Sequence, residues 1–244
     1  MILIILLSTS FFLIRNHINS IIHAKSFVDE ELFTISKNTK VIYNAKGDKL
    51  YADFIFSKNN ERVAVLYIGY GMHHGLTEKV SNHYLNSGFN VVTICANGFF
   101  VSGGKNKVDD HILTEELLNW LKVIEDIFGT NAKIYLHGFA YTALSVLNCS
   151  NKCYAVFADN THIFPTYNYK NIKLKLIKNK SRAKIPEINT PVFYSSNNTF
   201  SKEAYKLYEL SVSTKTIYTY DVFDADEYIC KTKTFIKRLE QPEE

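Results

Sequence analysis

The chain reads YLHGFAYTA from Tyr135 to Ala143. Lys133–His137 is predicted as a buried strand, Gly138–Ala140 as a sharp turn, and the residues up to about Leu147 as a helix. A buried strand that turns directly into a helix is a building unit of α/β domains. The middle of the chain therefore predicts a layered α/β structure.

The same alternation of strands and helices extends to both sides of this stretch. Strands are predicted at Lys40–Ala45, Lys49–Ser57, Arg62–Ile68, Phe89–Cys95, Tyr154–Ala158, Pro191–Ser195 and Thr216–Tyr220. Helices are predicted at Thr77–Ser87, Asp110–Phe128, Lys202–Leu210 and Tyr228–Leu239. This order predicts a mostly parallel central sheet with helices on both faces. The first two strands, joined by Lys46-Gly47-Asp48, form a hairpin that adds an antiparallel edge.

Composition places the chain among globular proteins. Of its 244 residues, 46% are hydrophobic, which excludes global disorder. The net charge of +4 is too small to predict a nucleic-acid partner. Since no internal repeat or long linker is visible, we expect one domain over residues 28–244. Residues 1–27 are predicted as a hydrophobic targeting or anchor segment with a linker.

The apolar segment Ile2–Ile14 predicts contact with a membrane. As a helix, 13 residues rise only ~20 Å, which is short of the ~30 Å hydrocarbon core. This length fits the core of a signal peptide or a marginal anchor. No Lys or Arg precedes the segment, and Arg15 and Lys25 follow it. We therefore expect a membrane-associated or secreted protein, with the side of the membrane left open.

Four motifs occur in the order used by one large family of enzymes. They are Val65–Gly71 (VLYIGYG), Cys95–Gly104 (CANGFFVSGG), Tyr135–Ala143 (YLHGFAYTA) and Pro191–Phe200 (PVFYSSNNTF). They resemble, in turn, the oxyanion strand, the Gly-rich loop after the next strand, the elbow of Gly-x-Ser-x-Gly, and the strand and loop of the catalytic acid in α/β-hydrolases. The nearest types are the monoacylglycerol-lipase-like and serine-aminopeptidase-like hydrolases, especially bacterial members with an N-terminal membrane segment. The resemblance implies an α/β-hydrolase fold.

The same resemblance indicates that the catalytic triad is lost. The position of the nucleophilic serine holds Ala140, whose methyl group cannot attack a carbonyl carbon. The position of the acid holds Asn198, and that of the base holds Glu227. Supporting positions differ as well, because Ile68, Asn97 and Thr142 stand where the family has His, Arg and the second elbow Gly.

The resemblance also implies where a ligand pocket would lie. The backbone N–H groups of Tyr70 and Tyr141 stand at the oxyanion positions, and the pocket candidates are Gly69, His73, Cys95 and Phe99. A Cys95–His73 catalytic pair is one interpretation of these residues, and the stronger one is that Cys95 belongs to the core. Asp226 and Glu227 are further candidates for an acid–base or metal site.

A basic stretch follows the strand after the elbow helix. Its positive residues are Lys170, Lys173, Lys175, Lys178, Lys180, Arg182 and Lys184, with no acid among them. It is predicted as a solvated surface helix or loop. The alternative is a patch for an anionic membrane formed by Lys173, Lys175, Lys178, Lys180 and Arg182. Because only residues 159–190 separate Ala158 from Pro191, where hydrolases insert a cap, we expect a minimal cap or none.

Neither a cofactor nor a metal is predicted. The sequence contains no Gly-rich phosphate loop, zinc motif or dinucleotide fingerprint. Cys95, Cys149, Cys153 and Cys230 are predicted as buried structural thiols, and a disulfide between Cys149 and Cys153 is the alternative.

Three hypotheses on function follow from the sequence. The leading one is a catalytically degenerate hydrolase that binds a ligand, lipid or protein partner. The second is an active esterase, lipase or peptidase with an unconventional site, and the third is a structural partner of an active paralogue.

Overall fold

The computed structural model describes residues 36–57, 61–69, 74–99, 101–104, 110–161, 166–169, 172–175, 187–198 and 201–241. The strands are β1 Thr39–Tyr43, β2 Lys49–Ile55, β3 Arg62–Ile68, β4 Asn90–Cys95, β5 Lys133–Phe139, β6 Ala155–Asp159, β7 Thr166–Tyr169, β8 Ile172–Lys175, β9 Val192–Asn197 and β10 Lys215–Tyr220. The α-helices are α1 His74–Asn86, α2 Asp110–Phe128, α3 Tyr141–Asn148, α4 Ser201–Leu210 and α5 Ala225–Glu240.

Eight strands form one sheet in the order β1-β2-β4-β3-β5-β6-β9-β10. The pairs from β4 through β10 are parallel, whereas β1 pairs with β2, and β2 with β4, in antiparallel register. This confirms the predicted mostly parallel sheet with an antiparallel hairpin at its edge. The central strand β3 is buried from Val63 to Ile68, as expected of a continuous apolar run that is covered on both faces.

Helices cover both faces of the sheet. Helix α2 buries the stripe Leu113, Leu117, Trp120, Leu121 and Ile124 in one core cluster, which α3 and α4 share. Helices α1 and α5 pack on the other face, where the second cluster contains Val80, Tyr84, Tyr228, Phe235 and Ile236. The carboxyl ends of β3, β5, β6 and β9 lie at one edge of the sheet, where α/β folds place their ligands.

Two helices begin earlier than the sequence pattern predicts. Helix α1 begins at His74, so Thr77 lies inside its first turn and is not the N-cap. Helix α5 begins at Ala225 because the side chain of Asp224 accepts hydrogen bonds from the N–H groups of Asp226 (2.8 Å) and Glu227 (3.0 Å).

The basic stretch is not the predicted helix or loop throughout. Its residues Ile172–Lys175 form β8, which pairs with β7 as a separate two-stranded antiparallel sheet. In the sequence, β7 and β8 follow β6 and precede β9. Ile172-Lys173-Leu174-Lys175 alternates apolar and basic residues, which is the period of a strand.

Two predicted membrane-contact segments lie at least partly outside the described residues. These are Ile2–Ile14, with the linker up to residue 27, and the basic positions Lys178, Lys180 and Arg182. Within the part of the chain that the structure describes, no helix combines the length and apolar character needed to cross a bilayer.

Candidate active site at the carboxyl edge of the sheet

The turn between β5 and α3 has the geometry of a strained elbow. Ala140 adopts φ 50° and ψ −105°, a region that costs a residue with a Cβ about 1–3 kcal/mol. The N–H of Ala140 donates to the carbonyl oxygen of Asp159 at 2.7 Å. A Cβ on Gly138 would lie 2.7 Å from the carbonyl oxygen of Thr142, so only glycine lets α3 pack this closely. The elbow predicted from the sequence is present, and it carries a methyl group that is 7% exposed.

Thr142 holds this turn against the end of β3. Its hydroxyl donates to the carbonyl oxygen of Tyr67 at 2.6 Å and accepts from the N–H of Phe139 at 2.9 Å. Its methyl carbon would lie 3.1 Å from a Cβ on Gly69. The Thr142 hydroxyl is therefore buried and engaged with the backbone. The sequence shows Thr142 as a replacement of the second elbow glycine and does not predict these hydrogen bonds.

The acid position is tied to the loop after β10. The side-chain amide of Asn198 is exposed and donates to the carboxylate of Asp221. The neighbouring Asn197 donates from Nδ2 to the carbonyl oxygen of Asp221 at 3.0 Å. An aspartate at position 198 would face the Asp221 carboxylate at close range, which is unfavourable for two like charges.

The base position lies in the first turn of α5. The Glu227 side chain is half exposed, and its Oε1 lies 3.9 Å from Nζ of Lys231. A carboxylate in this turn is stabilised by the N–H groups and dipole of the helix N-terminus, which explains a glutamate here without catalysis. Among the described residues, no hydrogen bond or ion pair joins Ala140, Asn198 and Glu227 to one another.

A buried polar network beside the elbow was not predicted from the sequence. Asp159 ends β6, and its carboxylate accepts a hydrogen bond from the Ser195 hydroxyl, with the Tyr220 hydroxyl at 3.4 Å. Burial raises the pKa of Asp159 to about 6. Asn160, at φ 45°, accepts from the N–H of Asn197 at 2.8 Å and donates to the Tyr220 hydroxyl at 2.6 Å. The available sequence signal was that polar residues directly follow two apolar strands.

The histidine closest to the elbow in sequence is structural. His137 is fully buried in β5, and its Nε2 lies 2.6 Å from the Tyr228 hydroxyl. Its ring stacks on Phe139, with the centroids 4.3 Å apart. Burial, with a smaller contribution from His83, lowers the pKa of His137 to about 3. A neutral imidazole locked between aromatic rings cannot serve a substrate as a base.

A buried carboxylate lies beside the loop that follows β4. Oε2 of Glu116 accepts from the N–H of Asn97 at 3.2 Å, while Oε1 has no hydrogen-bond partner among the described residues. Burial raises the pKa of Glu116 to about 7. Asn97 stands where the resembling hydrolases have Arg, so no cation from this position compensates the carboxylate.

The other predicted pocket residues are partly described. Cys95 and Phe99 are buried, and burial raises the pKa of the Cys95 thiol well above its ordinary value, which opposes a nucleophilic thiolate. Gly69 is buried against Thr142, and Tyr141 is the buried first residue of α3. Tyr70 and His73 lie outside the described residues, so the oxyanion pair and the Cys95–His73 pair stay predictions.

The four cysteines are free, so the alternative of a Cys149–Cys153 disulfide is absent from the structure. Cys95 and Cys149 are buried and Cys153 is half-buried, but Cys230 is exposed, so the prediction of a buried thiol was wrong there. It lies on α5 outside the buried residues of that helix. Across the described ranges, no group of three or more His, Cys, Asp or Glu side chains could hold a metal ion.

Comparisons with known proteins find similarity in structure only. No protein-family model matches the sequence, and no curated protein matches it. The esterase Pf2001 of Pyrococcus furiosus is 16% identical, with a TM-score of 0.63 over 87% of this chain and 96% of that chain. An alpha-beta serine hydrolase homologue from Coxiella burnetii is 12% identical, with a TM-score of 0.62 over 85% of this chain and 99% of that chain. Mouse alpha/beta hydrolase domain-containing protein 10 is 12% identical, with a TM-score of 0.62 over 82% and 98%. Identities this low establish the fold and not the activity.

Proposed function

We propose that this chain, which has the α/β-hydrolase fold, is a non-hydrolytic protein that acts by binding a ligand, a lipid or a protein partner. The observation that carries the proposal is Ala140, which occupies the strained elbow with a methyl group. Nucleophilic hydrolysis needs a side chain at that point that can attack, such as a hydroxyl, thiol or carboxylate, and a methyl group cannot.

The surroundings of the elbow support the loss of chemistry. The Thr142 hydroxyl is committed to the carbonyl oxygen of Tyr67. Asn198 is paired with Asp221, and Glu227 lies in a helix turn beside Lys231. A single substitution at the elbow could be reversed by one mutation, but three replaced positions, two of them with new side-chain partners, support a function without turnover.

The packing at the elbow favours a binding surface elsewhere over an acyl pocket above Ala140. Ala140, Phe99 and Tyr141 are all buried, and the Thr142 methyl group fills the space beside Gly69. A lipid or protein partner would then contact the outer surface of the domain.

We also propose that the protein is held at a membrane through Ile2–Ile14, with anionic lipid as a partner of the basic stretch. The support is the sequence of the segment and the seven positive residues between 170 and 184. Each Lys or Arg near an anionic surface contributes about 1 kcal/mol.

The second candidate function is an active hydrolase of esters or peptides. It is favoured by the similarity to an esterase and a serine hydrolase homologue. Under this hypothesis the nucleophile would lie outside the elbow. Without a nucleophile, an oxyanion hole and substrate binding alone give only about 10³–10⁴-fold acceleration over water.

The test is turnover of short-chain p-nitrophenyl esters by the full chain, together with labelling by a fluorophosphonate probe. We expect no turnover above buffer and no covalent label. The Ala140→Ser variant should remain inactive because it still lacks the base, and Thr142→Val serves as the control for the hydroxyl that lies two residues after the elbow position. Covalent labelling of the unmodified chain, with the labelled residue located by mass spectrometry, would support an active hydrolase and contradict the proposal of a non-hydrolytic protein.

A further inference from the structure

A cleft lies at the amino edge of the sheet, opposite the elbow, between the two helices that cover one face. Its volume is about 170 Å³, which is below the ~300–1,000 Å³ of pockets for drug-sized ligands. The start of β3, the end of α1 and the last turns of α5 line it, with the polar side chains Arg62, His83, Ser87, Lys233, Lys237 and Glu240. A ligand in this cleft would be small and would not contact the elbow.

The charges that line the cleft sum to a positive value. Of its lining residues, all of which the structure describes, Arg62, Lys233 and Lys237 are cationic and Glu240 is the one acid. The Glu240 carboxylate is already compensated, because Nη1 of Arg62 lies 3.1 Å from Oε2 and the Tyr135 hydroxyl donates to Oε1 at 2.9 Å. Two positive charges of the cleft therefore remain without a counter-charge.

These two charges belong to lysines that lie one turn apart on the same helix. Within the described ranges, the ammonium groups of Lys233 and Lys237 form no ion pair or hydrogen bond. Like charges four residues apart destabilise a helix. An anion bound between the two ammonium groups would replace this repulsion by attraction.

A buried imidazole lies beside the lysines. His83 is 7% exposed, and its Nε2 has no hydrogen-bond partner among the described residues. Burial, with a smaller contribution from Lys233, lowers the pKa of His83 to about 4, so the ring is neutral at pH 7 and can carry a hydrogen on Nε2. A buried polar atom without a partner is costly, and an acceptor atom placed beside the ring would supply the missing hydrogen bond.

We propose that this cleft binds a phosphate group, either free or at the end of a phosphomonoester. A phosphomonoester carries a charge of about −1.5 to −2 at pH 7 and three strong acceptor oxygens. These match two lysines and one imidazole donor, whereas a carboxylate has one charge and two oxygens. The inference goes beyond the proposed function, because the cleft is separate from the elbow and is compatible with either candidate function.

The chain itself contains a competing anion. Pro242-Glu243-Glu244 follow Gln241, a lining residue of the cleft, and lie outside the described residues. Glu61, which precedes Arg62, does not line the cleft. The test therefore includes the variant Glu243→Gln/Glu244→Gln, which removes both tail carboxylates.

The experiment is isothermal titration calorimetry of the full chain with inorganic phosphate and with glycerol phosphate at constant ionic strength. Lys233→Gln/Lys237→Gln removes both uncompensated charges and should lower the affinity for phosphate about 100-fold. The matched control is Lys202→Gln/Lys206→Gln, which removes two exposed lysines at the same spacing from α4. It should leave the affinity unchanged.

Melting curves without phosphate separate binding from a structural role. Lys233→Gln/Lys237→Gln should not lower the melting temperature, because it relieves the repulsion between the two lysines. His83→Phe replaces an unpartnered polar ring by an apolar ring of similar shape, so it should not lower the melting temperature either. The same variant should lower the affinity for phosphate about tenfold, because it removes the imidazole donor.

The binding results decide between the sources of the anion. Binding of either soluble phosphate that is lost in Lys233→Gln/Lys237→Gln supports the site and a soluble ligand. If neither binds, but vesicles with phosphatidate bind the unmodified chain more tightly than this variant while vesicles with phosphatidylglycerol do not, the site is supported and the phosphate belongs to a lipid.

Three results would overturn the proposal. Equal losses in the cleft variant and in the α4 control would show general attraction between charges and no site. Binding of phosphate only after Glu243→Gln/Glu244→Gln would show that the tail of the chain occupies the cleft. The absence of binding to soluble phosphate and to phosphatidate vesicles would exclude a phosphate ligand.

Discussion

At the residue scale, Ala140 combines a strained backbone, with φ 50° and ψ −105°, with a methyl side chain. In the hydrolases that this chain resembles, the strained turn projects a serine hydroxyl towards the substrate. Here the turn still has φ 50°, and it is held by the hydrogen bond to Asp159 and by the contacts of Gly138. The strain is thus maintained by packing, which indicates that the elbow serves the fold in this chain.

Replacing Ala140 by glycine should stabilise the protein. Glycine adopts φ 50° without the Cβ penalty, which outweighs its larger loss of backbone entropy on folding. We expect Ala140→Gly to raise the free energy of unfolding by about 1 kcal/mol, measured by urea denaturation. The control is Ala143→Gly in the adjoining helix α3, which should lower it by at least about 0.5 kcal/mol. Destabilisation by both variants would mean that the Ala140 methyl group contributes more by packing than it costs in strain.

Glu116 gives a second prediction at this scale, because its folded-state pKa is raised. Burial raises the pKa from 4.5 to about 7, so folding favours the protonated carboxyl. The corresponding stability is fully present below pH 4.5 and is lost as the pH rises through about 7. Glu116→Gln keeps the shape and removes the charge. At pH 8 the variant should be about 2 kcal/mol more stable than the unmodified chain, and at pH 4 about equal to it.

The measurement for Glu116 is the melting temperature of both proteins across this pH range. The matched control is Glu115→Gln, because Glu115 is 63% exposed and precedes Glu116 on α2. Its melting temperature should follow that of the unmodified chain. If the advantage of Glu116→Gln has the same size at both pH values, the carboxylate is compensated in the folded protein and the argument from burial fails.

At the scale of elements, the unit β5–elbow–α3 depends on the absence of a Cβ at position 138. An alanine there would place its Cβ 2.7 Å from the Thr142 carbonyl oxygen and 2.8 Å from the Ala143 Cα. These atoms belong to the helix backbone, which the Thr142 hydrogen bonds hold in place. The element therefore has little freedom to adjust.

We expect Gly138→Ala to lower the free energy of unfolding by about 3 kcal/mol, a size typical of overpacking in a core. Gly47→Ala is the control, because Gly47 has φ 81° but nothing within 4 Å of its Cβ position. It should cost only about 1 kcal/mol, from backbone strain alone. Equal losses in the two variants, measured by chemical denaturation, would show that α3 shifts to accept the methyl group.

The elements themselves were predictable because their periodicity is strong. The predicted bounds Arg62–Ile68 and Asp110–Phe128 agree with the structure to the residue. A short continuous apolar run fits a buried strand, and apolar residues every three or four positions fit a helix. The start of α5 was missed because its boundary depends on the Asp224 cap. The β7–β8 hairpin was missed because a run of lysines hides a short alternation.

The candidate site was predictable only where a motif fixes one position in the chain. The elbow at Ala140 was found in this way. The network of Asp159, Ser195 and Tyr220 was missed, because it joins the ends of three strands that are distant in sequence and become neighbours only in the sheet. The partner of Asn198 could not be predicted, because Asp221 reaches it from another loop.

At the scale of the whole molecule, one ion pair ties the last helix to the centre of the sheet. Nη1 of Arg62, at the start of β3, lies 3.1 Å from Oε2 of Glu240 at the end of α5. The Tyr135 hydroxyl of β5 donates to the same carboxylate at 2.9 Å. Arg62 also donates to the carbonyl oxygen of Ser87 at 2.8 Å, which closes the end of α1. Both helices on this face are thereby fixed to the two central strands.

Removing the charge of Glu240 should abolish its ion pair with Arg62, and the resulting loss of stability should depend on the salt concentration. Both side chains are about one-quarter exposed, so solvent screens part of the attraction. We expect Glu240→Gln to lower the free energy of unfolding by about 1 kcal/mol at low salt and by less than half of that at about 1 M NaCl. The control is Glu227→Gln, because the Glu227–Lys231 pair is half exposed and should change stability by at most about 0.5 kcal/mol.

Amide hydrogen exchange in Glu240→Gln should accelerate in the last turns of α5 and at the end of α1, since Arg62 contacts both helix ends. A loss that is independent of salt would assign the tie to the Tyr135 hydrogen bond, and unchanged exchange in α1 would mean that the two helices are held independently.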